Sequence, residues 1–94
     1  MNKYTIYLGL KNPNSKIEYC EIDVINHIKT LLDYATIYHT KGLYKGDCET
    51  TLIIEIISNN FTDFEIKNIC TYLKNRYEQE CVMYTKQDID MELV

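Results

Sequence analysis

The sequence predicts a small α+β domain in which two helices cover one face of a four-stranded antiparallel sheet. Strand-like and helix-like periodicities follow one another along the chain in the order β-α-β-β-α-β. Each helical segment offers a single apolar stripe, so each helix can cover only one face of a sheet. We expect one domain spanning residues 1–94, because no linker, repeat or low-complexity tract divides the chain.

The first half of the chain contains a strand, a helix and a second strand. Residues 3–10 alternate in polarity, which predicts a half-buried strand with Tyr4, Ile6 and Leu8 inward and Tyr7 outward. Residues 21–33 carry an apolar stripe at helical spacing, although Cys20 occupies the position where a Ser or Thr cap is expected. Residues 16–19 fit either that helix or an extended lead-in. Residues 35–44 are rich in Thr, Ile and Tyr, which favour a strand.

The second half contains a hairpin, a capped helix and a final strand. Residues 45–47 supply a turn, and residues 49–57 form the strongest strand pattern of the chain. Thr62 and Glu65 have the spacing of a capping box, with Phe61 and Ile66 placed for a hydrophobic staple, so a helix is predicted over 62–78. Residues 81–85 are the last firm strand. The acidic residues 86–94 fit either a further edge strand or a loose tail.

Composition excludes several functions. The formal net charge is −4 and Arg76 is the single arginine, so direct binding of nucleic acid through phosphate contacts is not expected. The amino-terminal segment lacks the apolar region of a signal peptide, and no stretch approaches the roughly 20 apolar residues that span a bilayer. We therefore predict no membrane association and a cytoplasmic location.

The four cysteines are predicted to be free thiols, because their spacing is irregular and no CxxC pair exists. Cys70 and Cys81 fall in apolar patterns and are expected to be buried, whereas Cys48 is expected to be exposed near a turn. No metal site and no cofactor is predicted.

The sheet face opposite the helices is the expected location of function. The strand patterns place Tyr7, Tyr38, Ile53 and Glu55 on that face, and exposed aromatic and aliphatic patches mark interaction sites. A homodimer formed sheet to sheet is the simplest use of such a patch. A pocket for a small planar or phosphorylated ligand is an alternative, and base stacking on the tyrosines is a third, which the acidic composition disfavours.

Few residue combinations point to catalysis. His39 shares a predicted hairpin with Glu49 and Glu55, and a histidine paired with a carboxylate can act as a general base. The glycines of the segment 42–46 do not form a phosphate-binding loop of the Walker type, since the Lys-Ser/Thr ending is absent. The acidic residues of 86–94 are expected to be a solvated edge, with mimicry of a phosphate backbone as the alternative.

Three segments carry a resemblance to other proteins: Tyr4-Thr-Ile-Tyr-Leu-Gly9, Gly42 followed by Glu49-Thr-Thr-Leu-Ile-Ile54, and Gln79-Glu80-Cys81-Val82. With these segments the chain resembles a group of small uncharacterised proteins from phages and prophages of low-GC bacteria. The resemblance covers nearly the whole chain and implies a phage accessory protein of ferredoxin-like fold with no assigned activity. Cys20 departs from the pattern.

The leading hypothesis from these observations is a non-enzymatic phage protein, dimeric, that inhibits a host defence system by occluding a defence protein or a nuclease such as a CRISPR effector. An alternative is a protein that sequesters a nucleotide immune signal, with Lys41, Lys45 and Arg76 as candidate phosphate ligands. A third is a small dimeric enzyme that uses His39 and a glutamate. The predicted binding surface is the open sheet face, the hairpin from Gly42 to Glu49, or both. The predicted binding residues are Tyr7, Tyr38, His39, Tyr44, Lys45 and Glu55.

Overall fold

Six elements follow one another in the computed structural model, which describes residues 1–15 and 17–94. They are β1 (Asn2–Gly9), α1 (Glu21–Leu31), β2 (Thr36–Tyr44), β3 (Asp47–Ser58), α2 (Asp63–Arg76) and β4 (Met83–Asp88). The predicted order β-α-β-β-α-β is confirmed.

The four strands form one antiparallel sheet in the order β2-β3-β1-β4. This is the strand order of the ferredoxin-like fold, so the predicted fold class is confirmed. The first strand of the chain therefore lies inside the sheet, between β3 and β4. Tyr7 is registered opposite Ile53 on one side and Met83 on the other, which fixes the composition of the face that the helices leave open.

The hydrophobic core lies between the helices and one sheet face. The alternation along β1 is confirmed, because Tyr4, Ile6 and Leu8 are almost completely buried while Tyr7 is half-buried. Val24 and Ile28 of α1 complete this layer together with residues of α2. The other core residues are Leu10, Leu32, Leu52, Ile54, Ile56, Ile66, Cys70, Leu73 and Tyr77.

The two helices begin in different ways, as their sequences predict. The Thr62 side chain accepts a hydrogen bond from the Glu65 backbone N–H at 3.2 Å, so the capping prediction for α2 is confirmed. Cys20 stands at the N-cap of α1 and makes no side-chain capping bond. Residues 17–19 are an extended lead-in, in which Glu18 pairs with Lys11; the remaining residue of that segment, Lys16, lies outside the described residues.

The hairpin between β2 and β3 closes over two residues. Lys45 has a φ of 50° and Gly46 a φ of 82°, and Tyr44 is registered opposite Asp47. Two consecutive residues with positive φ are typical of the tight turns whose twist matches that of the flanking strands.

Two boundaries near the carboxyl end differ from the prediction. The last strand covers Met83–Asp88 instead of residues 81–85, and Cys81 is exposed, so its predicted burial is wrong. Cys70 is buried and Cys48 exposed, as expected, and all four thiols are free. Of the acidic segment 86–94, the first three residues belong to β4, and the backbone N–H of Ile89 then donates to the Met1 carbonyl at 2.9 Å. Within the described ranges, no helix has both the length and the apolar character needed to cross a bilayer.

Candidate functional site

A pocket of about 330 Å³ opens on the helix-free sheet face, where β1 ends and the segment before β4 begins. We call it the sheet-face pocket. It is lined by Tyr7, Gly9, Lys11, Pro13, Gly42, Leu43, Tyr44, Glu49, Thr51, Gln79, Glu80, Cys81 and Met83. Its size falls in the range of roughly 300–1,000 Å³ that is typical of small-molecule sites.

Two glycines create the space at the floor of the sheet-face pocket. Gly9 is registered opposite Thr51, and Gly42 opposite Glu49. A Cβ atom built on Gly9 would collide with Oε1 of Glu49, and one built on Gly42 would lie 2.5 Å from Oγ1 of Thr51. The glycines are therefore required for the polar side chains of β3 to rise into the pocket.

Glu49 is the carboxylate at this floor. Its side chain is half-buried, and burial raises its pKa above the ordinary value of 4.5 because the charged form loses solvation. The negative charge of Glu18 acts in the same direction. Lys11 opposes both, through its charge and through a backbone hydrogen bond to the carboxylate. Glu49 is thus a carboxylate whose negative charge is incompletely compensated.

The rim of the pocket is formed by a tyrosine and a second carboxylate. The Tyr44 hydroxyl donates a hydrogen bond to Glu80 Oε2, and Lys45 Nζ lies 3.5 Å from Oε1 of the same carboxylate. The hydrogen bond to Glu80 raises the pKa of Tyr44 to about 12 and lowers the pKa of Glu80. A second cavity of about 230 Å³ adjoins the rim and shares Lys11, Tyr44, Glu49 and Glu80 with the sheet-face pocket.

Three of the six predicted binding residues belong to this region. Tyr7 and Tyr44 line the sheet-face pocket, and Lys45 lines the adjoining cavity. Tyr38 and Glu55 lie on the same sheet face but outside the pocket, with the Tyr38 hydroxyl 3.5 Å from Glu55 Oε2. Their role in binding stays a prediction.

His39 does not take part in the arrangement that its sequence position suggested. It is registered opposite the buried Leu52, so it lies on the helix-covered side of the sheet and contacts Glu21 of α1. Glu49 and Glu55 lie on the other side. The predicted pairing of His39 with a glutamate of its own hairpin is therefore wrong, because residues of opposite parity on paired strands face opposite ways.

The sequence-based list omitted most of the residues that line the pocket. Gly9, Gln79 and Glu80 were noted only as parts of a resemblance. Gly42 and Glu49 were noted as the limits of a hairpin that could bind a partner, and Glu49 also as a partner for His39. The register supplies the missing signal, since it places glycine opposite Glu49 and opposite Thr51 on the open face. Among residues 1–15 and 17–94, no cluster of three or more His, Cys, Asp or Glu side chains could hold a metal ion.

Comparison with solved structures finds a close likeness of fold. A phage SAM lyase in its apo state superimposes with a TM-score of 0.66 and 20% sequence identity, over 92% of this chain and 78% of that chain. No protein-family profile matches the chain, and no curated protein sequence does. This solved protein comes from a phage, which agrees with the resemblance of the sequence to phage proteins in general. The comparison does not show that the chain belongs to the specific group of accessory proteins.

This comparison corrects the leading functional hypothesis. The sequence suggested a non-enzymatic inhibitor or a protein that sequesters a nucleotide, whereas the solved protein that shares the fold is an enzyme. The hypothesis rested on the tyrosine-rich sheet face, on the phage resemblance and on the lack of a recognisable catalytic set along the sequence. In the folded chain, two carboxylates and two tyrosines from four separate segments meet at one pocket, and no short motif could have signalled that meeting.

Proposed function

We propose that this chain is a small lyase that cleaves a sulfonium compound of the S-adenosylmethionine class in the sheet-face pocket. The observation that carries the proposal is the half-buried Glu49 carboxylate at the pocket floor, with the tyrosines Tyr7 and Tyr44 in the same lining. The likeness of fold to a phage SAM lyase supports the choice of substrate class.

The lining suits a cationic nucleoside. A carboxylate with incompletely compensated charge attracts a sulfonium ion, and the face of an aromatic ring attracts ligand cations through its quadrupole. Tyrosine rings also offer flat surfaces on which a purine can stack. Tyr7 projects from the inner strand β1 and Tyr44 from the end of β2 at the hairpin, so two different strands contribute aromatic side chains to the pocket.

The chemistry needs neither water nor a redox partner. A carbon–sulfur bond of the sulfonium breaks, both electrons pass to sulfur, and a neutral thioether leaves. The carbon that loses sulfur then either bonds to a nucleophilic group within the same fragment, or the fragment loses a proton to a base and forms a double bond. The positive charge is dispersed in this step. Leu43 and Met83 add apolar side chains to the lining, and apolar surroundings favour charge dispersal because they stabilise the sulfonium less than water does.

The test is direct incubation of the purified protein with S-adenosylmethionine in water labelled with heavy oxygen, followed by mass spectrometry. We expect loss of the substrate, a thioether nucleoside and an amino-acid fragment free of the label. Glu49→Gln keeps the shape of the side chain and removes its charge, so its turnover should fall at least about tenfold, as for the loss of a charge-assisted contact. Intact substrate after prolonged incubation with folded wild-type protein would contradict the proposal, and label in the product would indicate hydrolysis instead.

A further inference from the structure

The carboxyl end of α2 turns the chain back towards the sheet and directs Gln79 at the sheet-face pocket. Tyr77 is the C-cap, and Glu78 adopts a left-handed conformation with a φ of 51°. The backbone N–H of Gln79 then donates to the Lys74 carbonyl at 2.9 Å, which closes the helix end. The backbone of Gln79 is therefore fixed beside the end of β1, and the residue is half-buried there.

The orientation of the Gln79 amide follows from its two partners. Nε2 donates to the Lys11 carbonyl at 3.1 Å and to the Tyr77 carbonyl at 2.9 Å. Both partners are acceptors only, so the amide must present its nitrogen to them, and the NH₂ group has no further hydrogen to give. Oε1 consequently faces the other way, towards Gly9, where a Cβ atom would lie 3.0 Å from it.

Oε1 of Glu49 approaches the same point from β3. A Cβ atom on Gly9 would be even closer to this oxygen than to Oε1 of Gln79. Two acceptor oxygens from different elements thus converge above Gly9, on the floor of the sheet-face pocket. We call them the acceptor pair. A ligand group that fits there must donate hydrogen bonds in two directions.

We propose that the acceptor pair binds the primary ammonium group of an amino-acid substituent on the substrate, with Lys11 pairing with the carboxylate of the same substituent. This inference rests on the proposed function and specifies which end of the substrate the pocket floor recognises. An ammonium carries three donors and no acceptor, and its charge matches the Glu49 carboxylate, whereas a hydroxyl has a single hydrogen. Lys11 lines the pocket and is close enough to influence Glu49 electrostatically.

The test compares two thioether nucleosides that carry no cleavable sulfonium. S-adenosylhomocysteine has the amino-acid substituent, and 5′-methylthioadenosine lacks it. By calorimetric titration of the wild-type protein, we expect the first to bind at least about tenfold more tightly, in line with one hydrogen bond to a charged group. Gln79→Met should remove this preference while leaving the affinity for 5′-methylthioadenosine unchanged.

Two further variants separate recognition from folding. Gln79→Lys can still donate to the Lys11 and Tyr77 carbonyls but lacks the acceptor oxygen, so it should keep the melting temperature and lose the preference. Gln87→Met makes the same side-chain change as Gln79→Met at an exposed position of β4, outside the pocket, and should behave as wild type. Lys11→Met should weaken S-adenosylhomocysteine alone.

The outcomes distinguish this inference from the proposed function. Equal affinities of the wild type for the two nucleosides, no binding of either, or equal losses for both in Gln79→Met would overturn the acceptor pair as the ammonium site. Selective binding without cleavage of S-adenosylmethionine would support the acceptor pair and count against the lyase. Cleavage of S-adenosylmethionine together with equal affinities for the two thioether nucleosides would support the lyase and count against the acceptor pair.

Discussion

The hydroxyl of Tyr44 donates a hydrogen bond to the carboxylate of Glu80, and this contact joins the β2–β3 hairpin to the segment that precedes β4. Lys45 adds an ion pair to the same carboxylate, with Nζ 3.5 Å from Oε1. Tyr44 ends β2 and Glu80 precedes β4, and these strands are the two edges of the sheet. The hydrogen bond between Tyr44 and Glu80 therefore bridges the rim of the sheet-face pocket, and it lowers the pKa of Glu80.

Replacing Tyr44 with Phe should raise the pKa of Glu80 towards its ordinary value of 4.5, because the Tyr44 hydrogen bond is the main cause of its lowered pKa. Since a lowered carboxylate pKa stabilises the folded state above the unfolded pKa, the variant should lose stability at neutral pH and match the wild type in strong acid. Side-chain NMR titration of Glu80 and thermal melts across pH measure both effects. Tyr34→Phe, at a tyrosine that is 88% exposed, is the control. A Glu80 pKa that stays low in Tyr44→Phe would contradict the contact.

Glu49→Gln should have the opposite effect on stability. The folded-state pKa of Glu49 is raised, so the folded protein binds this proton more tightly than the unfolded chain does. Wild-type stability therefore falls as the pH rises from about 4.5 through the folded-state pKa, and it stays lower above it. We expect Glu49→Gln to melt at a higher temperature than wild type at pH 7 and at the same temperature below pH 4. If Glu49→Gln is less stable than the wild type at neutral pH, the charged carboxylate stabilises the fold, and the pKa of Glu49 is not raised in the folded protein.

Gly9→Ala should damage the pocket more than the fold. The added methyl group collides with Oε1 of Glu49 and crowds Oε1 of Gln79 at 3.0 Å, so the Glu49 carboxylate must move out of the acceptor pair. Turnover of S-adenosylmethionine should fall at least about tenfold, the loss expected when one charge-assisted hydrogen bond is misplaced. Gly46→Ala provides the contrast, since it meets no atom within 4 Å but strains a φ of 82°. It should cost about 1 kcal/mol of stability and leave turnover unchanged. Equal activities of the two variants would argue against the pocket.

Adjacent residues of β3 should differ sharply in their contribution to stability. Ile54 is fully buried against the helices, whereas Ile53 is half-buried on the open sheet face. Ile54→Ala should lower the free energy of unfolding by about 2–5 kcal/mol because it leaves a cavity in the core. Ile53→Ala should cost about 1 kcal/mol, since it removes less buried surface. Chemical denaturation measures both. Similar losses would indicate that the second face is also covered.

His39→Ala should leave turnover of S-adenosylmethionine unchanged. The imidazole lies on the helix-covered side and contacts Glu21, so the sheet separates it from the sheet-face pocket. The measurement is the initial rate beside that of wild type and of Glu49→Gln. If the rate falls in His39→Ala as far as in Glu49→Gln, the reaction does not take place in the sheet-face pocket alone, and the proposed site is contradicted.

The fold could be predicted because its signals are local. The alternation of Tyr4, Ile6 and Leu8 and the cap at Thr62 each depend on residues within one turn or one strand, and both are confirmed. The burial of Cys81 was predicted wrongly for a related reason. An apolar run indicates a strand but does not show where pairing with β1 begins, and β4 pairs only from Met83 onwards.

The site was harder to predict because it depends on contacts between distant segments. Glu49 and Gln79 meet above Gly9, and no local pattern indicates that the end of α2 turns back to the end of β1. The predicted partner of His39 was wrong because side chains alternate between the two faces along each strand, and the prediction did not include which residues of β2 and β3 face the same way. Counted from the Tyr44–Asp47 closure, His39 is registered with Leu52 and faces away from both glutamates.

The position of β1 inside the sheet has a consequence for how the protein is made. Tyr7 leaves the ribosome early, but its neighbours Ile53 and Met83 are synthesised much later. The lining of the sheet-face pocket therefore stays incomplete until Met83 has been synthesised. A nascent polypeptide that stops before Met83 should lack the complete pocket, so the proposed substrate should bind only after β4 has begun to pair with β1.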